Sequence, residues 1–113
     1  MTAARLTSQV LVSSLIRRAE AEGGFGAVLA KGDSTAGAVM VILAERGARA
    51  ALLERLLQPD GTYAWQDSGR ATTDEADFQT SIARRRRNDP DLWLIELDVA
   101  SAERFAAAMN AAG

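Results

Sequence analysis

The chain of 113 residues contains no cysteine and no histidine. Without cysteine it can form no disulfide, no thiolate nucleophile and no cysteine-ligated metal or iron–sulfur site. Without histidine it lacks the commonest transition-metal ligand and the commonest general base. These absences exclude thiol chemistry and histidine-based catalysis, and we expect neither a bound metal nor a cofactor.

An excess of one charge and long apolar runs are also lacking. Thirteen basic and fifteen acidic residues give a net charge of −2, so no global field would draw the protein onto nucleic acid or an anionic membrane. The apolar stretch near the N-terminus is short, is interrupted by serine and runs into charged residues, unlike a signal peptide or a membrane span. We therefore expect a cytoplasmic protein without membrane contact.

The rest of the composition is typical of a folded domain. Apolar residues make up 48% and charged residues 25%, close to the averages of soluble globular proteins. Twelve of the thirteen basic residues are arginine, whose planar guanidinium suits paired contacts with carboxylates and phosphates. The length predicts a single domain over residues 1–113.

The first half of the chain predicts one helix and three strands. Residues 6–12 resemble an extended or mixed segment, and a helix follows from Val12 to the glycine pair Gly23-Gly24. The runs "FGAVLAKG" and "AGAVMVILAERG" are joined by the turn residues 31–34, which predicts a β-hairpin. After the turn at residues 46–47, "ARAALLERLLQ" is ambiguous between helix and strand, and we favour strand.

The second half predicts two strands and two helices. A turn at residues 58–61 precedes a strand with Tyr63 and Trp65. Thr72 and Glu75 form a capping-box pattern that opens a helix. This helix should end near Arg87, because Asn88 tolerates the left-handed closing conformation and Pro90 disfavours helical geometry at Asp89. "DLWLIELDV" is a strand with apolar residues on both faces.

An alanine-rich C-terminal helix begins at about residue 101, with an apolar stripe made by Phe105, Ala108, Met109 and Ala112. These elements predict an α+β fold. Its sheet has about five strands, is mainly antiparallel and packs against two or three helices. One parallel pair of strands is compatible with the strand–helix–strand passage that ends at Trp93.

Two segments, "SLIRRAEAEGGFGAVLAKGDSTAGAVMV" and "SIARRRRNDPDLWLIEL", resemble a small bacterial family known as domain of unknown function 1491. The resemblance covers about residues 5–97 and depends on the ordered motifs "IRRAE", "KGD", "AGAV" and "DPDLW". It implies a compact single domain and a strand at residues 48–57, but no activity or cofactor. Within these motifs, we expect a structural role for Gly32, Asp33, Asp89, Pro90, Asp91 and Trp93.

Four consecutive arginines, Arg84 to Arg87, form the most distinctive charged segment. Successive helical residues are rotated by about 100°, so the four cannot share one face. Cations in a last helical turn oppose the negative end of the helix dipole. Six acidic residues also lie in the same part of the chain, so we favour a structural role with internal ion pairs: Asp74, Glu75, Asp77, Asp89, Asp91 and Glu96.

Two binding alternatives remain for these arginines. Arg84, Arg86 and Arg87, together with Arg17 and Arg18, are candidates for an anion or RNA site. The same arginines could instead contact an acidic surface on a protein partner. We do not favour nucleic acid, and a homodimer is possible.

Other reactive groups support catalysis less well. The glycine-rich segment around residue 24 lacks the lysine and hydroxyl ending of a phosphate-binding loop. Asp89 and Asp91 could bind magnesium, but an Asx-stabilised turn is the simpler interpretation. Ser13 and Ser14 have no histidine partner, and nothing positions either of them to pair with Lys31. Tyr63, Trp65 and Trp93 could stack on nucleic-acid bases, but we favour core packing because the chain has few aromatic residues.

We therefore hypothesise a non-enzymatic interaction or regulatory domain, with an anion or RNA-binding module as the alternative. A third hypothesis is an enzyme that uses Asp89, Asp91 or Glu96 together with an arginine in a concave pocket.

Overall fold

In the described residues, one mixed sheet lies between helices on both of its faces, which is an α+β arrangement. The computed structural model describes residues 6–69 and 74–111, which form the following elements: α1 (Ser8–Ala21), β1 (Phe25–Ala30), β2 (Val39–Glu45), β3 (Ala48–Leu57), β4 (Tyr63–Asp67), α2 (Glu75–Asn88), β5 (Trp93–Asp98) and α3 (Ala102–Ala111). The five strands lie in the order β1-β5-β2-β3-β4. Only the β2–β5 pair is parallel among them, so the predicted fold class is confirmed.

Strand β5 is buried on both faces, as its sequence predicts. Trp93, Ile95 and Leu97 belong to one core cluster, whereas Leu92 and Leu94 belong to another on the opposite face. Even Leu94, the most exposed of the five, is only 6% exposed. Apolar residues of α1 and α3 complete the first cluster, and those of α2 complete the second.

The predicted hairpin between β1 and β2 is wrong, because β5 lies between the two strands. β1 pairs with β5 in antiparallel orientation, with Phe25 opposite Asp98. β2 pairs with β5 in parallel orientation, with Val39 opposite Trp93. A strand that is apolar on both faces gains most from a position inside the sheet, where a neighbour on each side also satisfies its backbone.

Helix α1 begins at Ser8, four residues before the predicted start. Thr7 has an extended backbone and its side-chain oxygen accepts a hydrogen bond from the Val10 amide (3.3 Å), which is the usual role of an N-cap threonine. The prediction of an extended or mixed segment at residues 6–12 is therefore wrong from residue 8 onwards. The helix is followed by Gly23, whose φ of 88° suits glycine because no Cβ clashes there.

Residues 48–57 form strand β3, as we favoured and as the family resemblance implied. The tight turn before it places Arg46 and Gly47 at φ values of 53° and 82°, the left-handed geometry of a two-residue hairpin turn. The carboxylate of Asp98 accepts hydrogen bonds from both turn amides, at 3.1 Å from Arg46 and 2.8 Å from Gly47. The end of β5 thus holds the β2–β3 turn in place.

Helix α2 begins two residues later than the capping-box pattern predicts. Asp74 is the N-cap, and its carboxylate accepts a hydrogen bond from the Asp77 amide (2.8 Å). Thr72 lies outside the described residues. The helix ends at Asn88, close to the predicted end, but Asn88 is helical and the C-cap Asp89 has a φ of −140°, so the left-handed ending is wrong.

Helix α3 covers the edge strand β4. Its Phe105 and Met109 are buried in the same core as α1, and Ser101 caps its first turn by accepting from the Arg104 amide (3.2 Å). The side-chain amide of Asn110 accepts from the backbone N–H of Trp65 (2.8 Å) and donates to its carbonyl (3.1 Å). One side chain therefore occupies the backbone groups that a further strand would pair with at this edge.

We expect Asn110→Ala to lower the free energy of unfolding by about 1–2 kcal/mol, because both backbone groups of Trp65 lose a partner at once. Urea denaturation measures the change. Arg104→Ala, an exposed substitution in the same helix, should change stability by less than about 0.5 kcal/mol. Equal effects of the two substitutions would contradict the edge-pairing role of Asn110.

Candidate functional site

The arginine-rich helix α2 is attached to strand β3 at both of its ends. Near its start, Arg49 of β3 forms an ion pair with Glu75, and its guanidinium lies 3.9 Å from the ring centroid of Phe78. Near its end, Arg85 donates to Glu54 of β3 at 2.6 Å. The two ion pairs, together with the buried side chains of Phe78 and Ile82, fix the rotation of the helix about its axis.

This rotation separates Arg85 from the other three arginines. Arg85 is half-buried against the sheet, whereas Arg84, Arg86 and Arg87 are exposed. Their side chains form no hydrogen bond or ion pair with any of the residues that the structure describes. These three arginines lie near the C-terminal end of α2 and have no carboxylate partner in residues 6–69 and 74–111.

The nearby acids that we expected to neutralise the arginines have other roles. Asp89 accepts a hydrogen bond from the Asp91 amide (3.2 Å), which is the predicted Asx turn. Asp74 caps α2 and Asp77 is exposed in its first turn. Among the four consecutive arginines, internal pairing within the described chain is therefore limited to Arg85 and its partner Glu54.

Arg17 and Arg18 do not join this group. They belong to α1, which packs on the face of the sheet opposite α2. Arg17 is exposed, but Arg18 is half-buried beside Arg55 in a cleft on that face. The five candidate arginines thus divide into two surfaces separated by the thickness of the sheet.

Sequence reasoning missed Arg49 and Glu54, the β3 residues that position α2. The ambiguity of residues 48–57 hid them, because only a strand places Leu52 and Glu54 on the same face. Strand alternation could have identified that face. Their partners in α2 depend on the chain crossing to the other side of the sheet, which no local pattern records.

The "KGD" and "DPDLW" motifs meet in one structural corner, formed by residues 31–38 and the turn before β5. The Asp33 amide donates to the Asp91 carbonyl (3.0 Å), and the Trp93 indole donates to the Asp33 carbonyl (2.7 Å). A Cβ on Gly32 or on Gly37 would overlap the Asp91 carbonyl oxygen. Both glycines are thus required by close backbone approach, while Pro90 is exposed in the turn.

The same corner caps helix α1. The backbone amides of Ser8 and Gln9 donate to the carbonyls of Thr35 (3.1 Å) and Ser34 (3.0 Å), and the buried Ser8 hydroxyl donates to Gly37 (2.6 Å). Asp33 in turn holds the loop, because its carboxylate accepts from the amides of Thr35 and Ala36. These groups are engaged with backbone, so the corner supports the fold.

A cavity of about 520 Å³ lies where the parallel strands β2 and β5 end. Carboxyl ends of parallel strands commonly hold ligands. Here, however, Asp98 accepts from the β2–β3 turn, and Glu45 accepts from the first amide of α3, at Ala102 (2.6 Å). Of the three carboxylates that line this cavity, Asp98 and Glu45 thus already hold main-chain groups, and Glu22 is the third.

The remaining candidates for chemistry are dispersed in the fold. Trp93 is 3% exposed, and Trp65 is 9% exposed at the wall of a cleft, so neither presents an open ring face on which a base could stack. The Ser14 hydroxyl donates to the Leu11 carbonyl (2.9 Å), so it is engaged within α1. In residues 6–69 and 74–111, no three acidic side chains are grouped to hold a metal ion. The helices of these ranges are also too short or too polar to cross a membrane.

We expect Gly37→Ala to lower the free energy of unfolding by about 1–3 kcal/mol, because the new methyl group must displace the Asp91 backbone. The indole N–H resonance of Trp93 should shift as its contact with Asp33 changes. Ser34→Ala in the same loop is the control and should be nearly neutral. An unchanged indole resonance together with unchanged stability would contradict the close packing of this corner.

The ion pair at the start of α2 should make stability depend on acid pH. Hydrogen bonds from Arg49 and Gln79 lower the pKa of Glu75 below its ordinary value of 4.5. The ionised carboxylate thus contributes stability above pH 4.5, and this contribution is lost as the pH falls through the lower folded pKa. Urea unfolding of wild type and Glu75→Gln should show a stability difference that shrinks below pH 4.5.

Glu103→Gln, in the first turn of α3, removes the same charge from a glutamate without an arginine contact among the described residues. Its difference from wild type should change less over this pH range. A Glu75 carboxyl that titrates by NMR at or above pH 4.5 would show that the Arg49 contact does not form in solution.

Comparisons with known proteins show the family of the chain and relatives with a similar fold. Residues 6–107 match the model of the family described as "Protein of unknown function (DUF1491)". A crystal structure of a DUF1491 family protein from Caulobacter crescentus CB15 is 36% identical, with a TM-score of 0.78 over 89% of this chain and 94% of that chain. An NMR structure of a DUF1491 family protein from the same organism is 35% identical, with a TM-score of 0.76 over 92% and 94% of the two chains.

The solution structure of protein Atu0922 from A. tumefaciens is also similar. It is 30% identical, with a TM-score of 0.74 over 91% of this chain and 93% of that chain. No curated protein matches the sequence. Because the family model covers most of the chain and the structural relatives share its fold, the protein belongs to the DUF1491 family.

Proposed function

We propose that this protein is a non-enzymatic cytoplasmic interaction domain, and that Arg84, Arg86 and Arg87 bind an acidic surface of a protein partner. The observation that carries the proposal is the division within the arginine run. Arg85 is used by the fold through Glu54, whereas its three neighbours have no acidic partner in the described chain. We call these three residues the basic helix end.

The attachment of α2 gives the basic helix end a defined position. Arg85 and Glu54 hold the last turn against β3, so the three exposed arginines extend from a fixed backbone. A fixed backbone reduces the conformational entropy lost on binding. With a net charge of −2 for the whole chain, attraction of an acidic partner must come from such a local cluster.

Two exposed acids, Asp60 and Glu75, have a pKa that is shifted in the direction opposite to the one that general acid catalysis requires. A general acid at neutral pH needs a carboxyl whose pKa is raised. Hydrogen bonds from Thr62 lower the pKa of Asp60, and those from Arg49 and Gln79 lower the pKa of Glu75. Asp89, Asp91 and Glu96, the acids considered for an arginine-assisted enzyme, line neither the 520 Å³ cavity nor the cleft beside Arg18.

RNA is the second candidate partner, because guanidinium groups bind phosphates as well as carboxylates. The two candidates differ in their salt dependence. Each phosphate contact on a single strand contributes roughly −0.7 to the slope of log affinity against log salt concentration, so three contacts give about −2. This value of the slope is specific to the phosphates of a nucleic acid and is not expected for binding to an acidic protein surface.

The test compares two triple variants that each remove three positive charges. One replaces Arg84, Arg86 and Arg87 by glutamine, and the other replaces the exposed arginines Arg17, Arg46 and Arg104. Each protein is used to capture partners from native lysate before and after ribonuclease treatment. We expect a protein that binds wild type and the second variant, resists ribonuclease and is lost with the first variant.

A fluorescent single-stranded RNA is titrated in parallel at several salt concentrations. If RNA binds with a slope near −2 and only the first variant abolishes this binding, the partner of the basic helix end is RNA and not an acidic protein. Equal binding by all three proteins in both assays would reject a role for these arginines. Folding of each variant is checked by urea denaturation. Each arginine removed near the end of α2 should lower the free energy of unfolding by about 0.3–1 kcal/mol, because its charge opposes the helix dipole. Each exposed substitution in the second variant should change it by less than about 0.5 kcal/mol.

A further inference from the structure

A second concave surface lies on the face of the sheet that carries α1 and α3. It is a cleft of about 250 Å³ between α1, α3 and the strands β3 and β4. Leu11 and Leu15 of α1, Trp65 of β4 and Met109 of α3 supply its apolar walls. Three of these four side chains are buried parts of the core, so the walls are rigid and already formed.

Two guanidinium groups line the same cleft. Arg18 comes from the last turn of α1 and Arg55 from β3, and both are half-buried. The Arg55 guanidinium lies 4.6 Å from the ring centroid of Tyr63, which orients it by a cation–π contact. Neither arginine forms an ion pair within residues 6–69 and 74–111, and no carboxylate is among the residues that line the cleft.

This combination is chemically specific. Cations that are partly removed from water are normally paired with acids, because desolvation disfavours an isolated charge. Here two cations from separate elements line one apolar cleft that contains no acidic side chain. A ligand with a negative group would supply the missing charge, while an apolar body would cover Trp65 and Met109.

We infer that this cleft binds a small amphiphilic anion, with its carboxylate or phosphate group held by Arg18 and Arg55 and its apolar body against Trp65 and Met109. The volume limits the ligand to a small molecule, since pockets for drug-sized ligands start at about 300 Å³. The site lies on the opposite face from the basic helix end and shares no residue with it. It is therefore independent of the proposed function.

The alternative is that the arginine stems only cover apolar core surface while their charges remain in water. The two interpretations differ in the ligands that they allow. Four probes separate them: octanoate, octyl phosphate, octanol and acetate. They provide an apolar chain with either anionic group, the chain without charge, and the charge without the chain.

Binding is measured by calorimetry and from the indole N–H resonances. The indole of Trp65 lines the cleft, whereas that of Trp93 is bonded to Asp33 outside it and serves as an internal reference. We expect octanoate or octyl phosphate to bind and to shift the Trp65 resonance more than that of Trp93. Octanol and acetate should bind at least about tenfold more weakly. The stronger of the two anions identifies the head group.

Arg18→Gln and Arg55→Gln should each raise the dissociation constant of the preferred anion at least about tenfold, because each removes a charged hydrogen-bond donor. Arg17→Gln is the matched control, since it removes the same charge from the neighbouring, exposed position and should leave affinity unchanged. Equal affinity for octanol, an equal loss with Arg17→Gln, or no binding of either anion at millimolar concentration would overturn the inference.

Discussion

The two-sided burial of β5 is the constraint on which the rest of the structure depends. Its alternate residues face two separate cores, and Ile95 and Leu97 are fully excluded from solvent. A strand of this kind requires a neighbour on each edge and helices over each face. β1 and β2 supply the edges, α1 and α3 cover one face, and α2 covers the other. The insertion of β5 also separates two strands that are adjacent in sequence.

The corner at the start of β5 follows from that insertion. Because β1 and β2 lie on either side of β5, the loop between them must cross the beginning of the strand. Gly32 and Gly37 let the loop approach the Asp91 carbonyl, and Trp93 fixes it through Asp33. The loop carbonyls then accept the first amides of α1. Motifs that are about sixty residues apart therefore act as one structural unit.

The pairing of the arginines depends on which side of the sheet they extend from. Arginines that extend from β3 towards α2, or from α2 towards β3, find carboxylates there, as Arg49 and Arg85 do. Those that extend away from the sheet, or into the cleft on the other face, find none among the described residues. The fold thus uses part of an arginine-rich composition for its own stability and leaves two basic surfaces on opposite faces. A domain of this size can present both without their interfering.

The sequence by itself determined the presence of helices α1, α2 and α3, the strands β1, β2, β4 and β5, the turn at residues 46–47 and the two apolar faces of β5, because propensity, turn chemistry and alternation are local properties. It left β3 ambiguous between helix and strand and placed the start of α1 four residues too late. It also identified the arginine run and the Asx turn after it. Only the tertiary structure decided that β5 separates β1 from β2, that Arg85 binds Glu54 and that Arg18 shares a cleft with Arg55. Each of these contacts depends on which distant segments become neighbours in the fold. The burial of whole sheet and helix faces determines these neighbours, and a short stretch of sequence does not contain that information.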